Sequence, residues 1–200
     1  LIQKDRNTDL IHISYSTPKT QSRVYLYNLK TKEKKLVKEQ IIPSGHNPDN
    51  YIVERLDCDS HDGKKIPLTI IRNKKTKIDG NAKLLLYGYG SYGNSMSASF
   101  SSNKFSLIDR DIIWVTAHVR GGLERGMKWW KEGKLLNKKN TFKDYISVAK
   151  FLIEKKYSSK GKIIGMGGSA GGLLMGAVVN QAPEFFLGII MAVPFVDSLT

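Results

Sequence analysis

Six small residues in a row, Gly167-Gly168-Ser169-Ala170-Gly171-Gly172, hold the residue type and spacing that most clearly imply chemistry. A serine bracketed by glycines at G-x-S-x-G spacing, with an apolar strand before it and a helix after it, is a nucleophile elbow. The serine sits on a strained turn, and its hydroxyl projects where it can attack a carbonyl carbon. The backbone N–H of Ala170 then points to where negative charge develops on the attacked oxygen. Read structurally, the same residues are a small-residue turn that lets a helix pack close. The flanking patterns, an apolar run over 162–166 and a helical one from about 170 to 180, favour the elbow.

Two further glycine clusters end predicted strands. Tyr87-Gly88-Tyr89-Gly90-Ser91-Tyr92-Gly93 follows the apolar run 82–87. Its spacing matches the dinucleotide fingerprint G-x-G-x-x-G, with Asp109 or Asp111 downstream, but that motif needs a helix beginning at the glycines. The serine-rich residues 94–99 are poor helix formers, so no cofactor is expected. In an α/β hydrolase the loop after the third strand supplies a second oxyanion donor, and a tyrosine-flanked glycine loop suits that place. His118-Val119-Arg120-Gly121-Gly122 ends the run 112–117, at a sheet edge where ligands are met.

A serine needs a partner to take its proton. The chain order of this fold is serine, acid, histidine, yet His12, His46, His61 and His118 all precede Ser169. Glu184 reads as an exposed turn residue and Asp197 comes one strand too early, so the triad is incomplete within these residues. One cysteine, Cys58, and scattered histidines offer no metal-ligand spacing.

The elements that must position these groups divide at the Pro43–Pro48 region. Residues 10–16 and 23–29 alternate like antiparallel strands, with a third short strand near 35–38. Beyond residue 50, strands at about 51–58 and 66–71 precede continuous apolar runs at 82–87, 112–117, 162–166 and 187–193, as strands buried on both faces require. Helical spacing covers 126–131, 141–155 and 172–180. The expected fold is therefore an α/β domain with a mostly parallel sheet and helices on both faces, residues 49–200, preceded by a small all-β module, residues 1–48.

Composition limits the remaining classes. Forty per cent hydrophobic residues in a 200-residue chain can bury a core, which excludes wholesale disorder. No apolar stretch approaches the roughly 20 residues of a membrane helix. A lone cysteine, no Asn-x-Ser/Thr acceptor and no leader point to a cytosolic location. The net charge is +14. Its lysines are scattered, Lys138 and Lys139 among them, and read as a solvated surface rather than a specific nucleic-acid site. Leu1 in place of an initiating Met, and an apolar run trailing into residues 197–200 without a closing element, point to a fragment.

The clusters above, with Lys138-Lys139-Asn140-Thr141-Phe142-Lys143-Asp144-Tyr145 and Val193-Pro194-Phe195-Val196-Asp197, occur in the order in which they stand in the prolyl oligopeptidase family of serine peptidases. The sequence resembles its Lys/Arg-directed branch over nearly the whole chain. That resemblance implies that residues 1–48 are the last strands of a β-propeller and 49–200 the first two-thirds of an α/β-hydrolase peptidase domain. It implies Ser169 as nucleophile and Tyr89 as an oxyanion donor beside the N–H of Ala170. By the same resemblance, Tyr92 and Phe195 fall where side chains of the family's first specificity pocket tend to lie. The substrate would be a short peptide cut after Lys or Arg. The missing Asp and His would come from a longer parent or from a second chain. An esterase of the same fold, or an inactive remnant with a basic surface, are the alternatives.

Overall fold

A computed structural model describes residues 7–197. The expectations about residues 198–200 lie outside that range. The alternating N-terminal segment forms β1 (Leu10–Thr17), β2 (Thr20–Asn28) and β3 (Lys34–Glu39), paired antiparallel in that order. Its apolar members, such as Ile13, Tyr15, Leu36 and Val37, remain exposed, so this sheet buries little by itself. The chain then turns at Pro48–Asn50, where the Asn47 side chain accepts a hydrogen bond from the Asp49 N–H at 2.9 Å.

A second sheet follows: β4 (Tyr51–Asp59), β5 (Lys65–Asn73), β6 (Leu84–Tyr87), β7 (Ile113–Ala117), β8 (Ile163–Gly168) and β9 (Phe186–Ala192). Their order across the sheet is β4-β5-β7-β6-β8-β9. β7, β6, β8 and β9 run parallel, whereas β4 and β5 join antiparallel, so the sheet is mixed rather than uniformly parallel. The cause is local. A tight turn at residues 60–64 links β4 to β5, and a hairpin cannot join parallel strands.

Continuous apolar runs become two-faced strands, as expected. Leu84 and Leu86 of β6 enter one core with Tyr145, Leu152 and Leu174, while Leu85 enters the other with Phe105, Ile108 and Trp114. The first core is covered by α3 (Lys139–Glu154) and α4 (Ala170–Gln181), the second by α1 (Ser102–Ile108). A short α2 (Met127–Lys131) buries Trp129. In α3 the fully buried stripe is Tyr145, Val148, Ala149 and Leu152, at helical spacing. Phe142, Ile146 and Ile153 are only partly buried, because the apolar face is wider than the contact it makes. Nothing local predicts α1. Ser101 makes no capping hydrogen bond, and the helix is held by packing Phe105 and Ile108 against β5 and β7.

The run at 187–193, expected to be buried on both faces, is covered only in part by the described residues. Leu187 is 55% exposed and Ile190 and Met191 are each 44% exposed. β9 lies at the sheet edge, paired on one side to β8, so its hydrophobicity is only partly covered. Among the described residues no helix is long and apolar enough to cross a membrane.

Candidate active site

β8 ends at Gly168, and the next residue takes the bend. Ser169 has φ 54° and ψ −119°, a conformation that L residues adopt at a cost of about 1–3 kcal/mol. Two residues before it and three after it, glycine is required for steric reasons. A Cβ on Gly167 would stand 2.2 Å from the Gly171 carbonyl oxygen, and one on Gly172 would stand 2.6 Å from Pro194 Cα. Backbone bonds fix the bend: Ser169 N–H donates to Ala192 O at 2.9 Å, and Phe195 N–H to Ser169 O at 3.0 Å. Ser169 is exposed and Ala170 buried. The hydroxyl is therefore borne on an accessible residue at the start of a 12-residue helix, whose first N–H groups have no helical acceptor.

The loop after β6 closes on this bend. Gly88 N–H donates to Met166 O at 3.0 Å, carrying the chain alongside β8. A Cβ on Gly171 would lie 3.3 Å from Tyr89 Cδ2, which puts the half-buried Tyr89 ring against the first turn of α4. Beneath it, Tyr145 is fully buried and donates its hydroxyl hydrogen to Leu86 O at 2.5 Å. Burial raises the pKa of that phenol, so it stays a donor.

A cavity of about 460 Å³ opens beside the elbow, lined by Ser91, Tyr92, Trp130, Lys138, Ala170 and Phe195 among others. It joins three residues the sequence singled out, Tyr92, Ala170 and Phe195. Tyr92 stands 70% exposed at its rim, with φ 57°. Its described lining is mostly apolar, with Lys134 and Lys138 as the charged side chains.

Sequence reasoning missed Trp130 and misread Lys138. The Trp129-Trp130 pair carried a usable signal, since adjacent helical residues face different ways. Trp129 is buried and donates its indole N–H to His118 O at 3.0 Å, leaving Trp130 for the cavity, with Lys134 Nζ 3.7 Å from its ring centroid. Lys138 is no solvated surface charge. Its Nζ donates to Gly90 O at 2.6 Å and to Ser91 Oγ at 2.7 Å, and burial lowers its pKa from the ordinary 10.5 to about 8. The folded chain thus disfavours the ammonium. Between about pH 8 and 10.5 the unfolded chain binds more protons, so this group's contribution to stability rises with pH. The urea midpoint of the wild type should therefore climb relative to Lys138→Met from pH 8 to 10. A flat or falling difference would contradict this burial.

The His118–Gly122 cluster, expected to meet ligands, is framework instead. His118 is 2% exposed and shares a hydrogen bond with Thr69 Oγ1 at 2.9 Å. Arg120, 1% exposed, donates from Nε to Asp144 Oδ2 at 2.8 Å and from Nη1 to Asp62 Oδ2 at 2.6 Å. Strand ends are buried where the following loop folds back over them, and here Thr141 on α3 caps Arg120 O at 2.8 Å. None of the four histidines lines the cavity. The glycines at 88–93 lead into a turn and then irregular chain, not into a helix. Cys58 is buried, which pushes its thiol up to about 12. Among the described residues no three His, Cys, Asp or Glu side chains are grouped to hold a metal ion.

An elbow on a mixed sheet, with a tyrosine-bearing loop closing on it, is a geometry shared with known proteins. The prolyl oligopeptidase family matches residues 98–200. The chain belongs to that family. It is 45% identical, over 98% of its length, to dipeptidyl aminopeptidase BI of Pseudoxanthomonas mexicana, and 40% identical, over 100%, to Protease 2 of Moraxella lacunata. Oligopeptidase B from Leishmania major superposes with a TM-score of 0.86 at 37% identity over 96% of this chain. The chain spans 27% of the first relative, 29% of the second and 27% of the third, less than a third of any of them.

Proposed function

We propose that this chain carries the nucleophile of a serine endopeptidase that cuts short peptides by acyl transfer. Ser169 Oγ attacks the scissile carbonyl, and the oxyanion receives the Ala170 N–H and the Tyr89 hydroxyl. Tyr92 and Phe195 wall the pocket for the residue before the cut. The histidine and aspartate that activate Ser169 are supplied by polypeptide beyond these 200 residues, in the same longer protein or in a partner chain. Residues 1–48 are read as propeller strands and 49–200 as peptidase domain, in a cytoplasmic enzyme.

The observation that carries this reading is Ser169, exposed at φ 54° between β8 and α4. A preference for Lys or Arg is what the motif resemblance implies. The described cavity has no carboxylate to draw such a side chain, so acidic groups would also come from outside it.

Fluorophosphonate labelling of the intact protein, followed by peptide mapping, tests the assignment. Label on Ser169 is expected, with competition by a short arginyl peptide. Label elsewhere, or none while the peptide is still hydrolysed, overturns it. Hydrolysis of esters but not of peptides would move the assignment to an acyl hydrolase of the same fold.

A further inference from the structure

Lys138 precedes α3 and is one of two lysines on the cavity wall, facing acceptors that are both neutral. A partly desolvated ammonium without a carboxylate partner lowers stability, and solvent would take it if the packing allowed. Its acceptors belong to one step of chain, Gly90–Ser91, between the two tyrosines of the site.

That step has little freedom elsewhere. Gly90 has φ 65°, and a Cβ there would lie 2.4 Å from Thr141 Cγ2 and 2.9 Å from Arg120 O. A Cβ on Gly121 would stand 1.9 Å from Gly90 O, so the oxygen that accepts from Lys138 is wedged against the 120–122 loop. Further along, Gly93 N–H donates to the same loop, to Gly121 O at 2.9 Å. The turn is held against the 120–122 loop at both ends, and Lys138 bonds its middle.

Resting on the acyl-transfer reading above, we propose that Lys138 is a positioning residue, whose ammonium clamps the Gly90–Ser91 step and so sets Tyr89 against the reacting carbonyl and Tyr92 at the pocket wall. It acts through the two tyrosines, with no bond made or broken. The depressed pKa of Lys138 fits a cation kept where desolvation opposes it.

Two readouts test it on the intact protein. In Lys138→Met, amide hydrogen exchange at residues 88–94 should speed up by about tenfold or more, while residues 163–180 keep wild-type protection. This arm does not need turnover, and unchanged exchange at 88–94 overturns the inference. For hydrolysis of a short arginyl peptide, Lys138→Met should lower kcat by about ten- to a hundredfold and change KM less, since misplacing a positioned group by an ångström has that effect. Adding Tyr89→Phe to Lys138→Met should then cost little more, because both remove one interaction. Full additivity, or kcat within twofold of wild type, overturns it. Ser91→Ala removes a single acceptor, leaves the core untouched, and should shift both readouts in the same direction by a few-fold. If Lys138→Met does not fold, Ser91→Ala decides: wild-type exchange and kcat in that variant overturn the clamp. If turnover survives Ser169→Ala, the acyl-transfer reading fails, and the exchange arm alone still judges Lys138.

Discussion

Ser169→Ala is expected to reduce kcat/KM of the intact protein for a short arginyl chromogenic peptide by about 10⁴- to 10⁶-fold, the scale of losing a serine nucleophile. Alanine leaves the backbone bend, the Ala170 N–H and the cavity as they are, so binding survives while the covalent step disappears. KM should move by less than about threefold if the acyl-transfer step alone is removed. Tyr89→Phe, by comparison, deletes one oxyanion donor and should cost about 10²- to 10³-fold. In the Ser169→Ala background the same tyrosine change should add almost nothing, because no alkoxide attack generates the charge it would stabilise. A tenth or more of wild-type turnover in Ser169→Ala would remove the serine from the mechanism.

Asp144→Ala should be the most damaging single change to the fold. Asp144 is fully buried and receives Arg120 N–H at 3.0 Å, Arg120 Nε–H at 2.8 Å, Arg120 Nη2–H at 2.5 Å and the Ser60 hydroxyl at 2.5 Å. Removing it leaves a guanidinium of 1% exposure with the partly exposed Asp62 as its remaining carboxylate. Breaking a buried ion pair from one side costs about 3–5 kcal/mol, against total stabilities of about 5–15. The urea midpoint should fall accordingly. Arg120→Met combined with Asp144→Leu should cost less than the sum of the two singles, since no charge is then stranded. An Asp144→Ala loss below about 1 kcal/mol would show that water or Asp62 compensates the arginine. Catalysis should suffer as well, because the 120–122 loop that Arg120 anchors supports Gly90.

The elbow was legible in the sequence because its residue types stand together in six consecutive positions. Gly167 is required by a contact within the bend itself, whereas Gly171 and Gly172 meet distant chain, Gly88 O after β6 and Pro194 after β9. Continuous apolar runs likewise revealed β6, β7 and β8, and helical repetition revealed α3. Helix α1 was not legible, since an uncapped seven-residue helix owes its existence to what it packs against.

Charge was where sequence reasoning failed most plainly. Lys138 and Lys139 are adjacent and identical in type, yet one lies on the cavity wall and the other is exposed. Arg120 and Asp144 are 24 residues apart and form the buried pair on which the 120–122 loop rests. The sequence alone determined that a serine would be held at a strained strand-to-helix bend and that apolar runs would form a two-faced sheet, because short-range sterics and periodicity leave few alternatives. Only the tertiary structure decided which cations are desolvated and which aromatic side chains share a cavity. Those outcomes depend on dielectric environment and on contacts between distant segments, which no local pattern encodes.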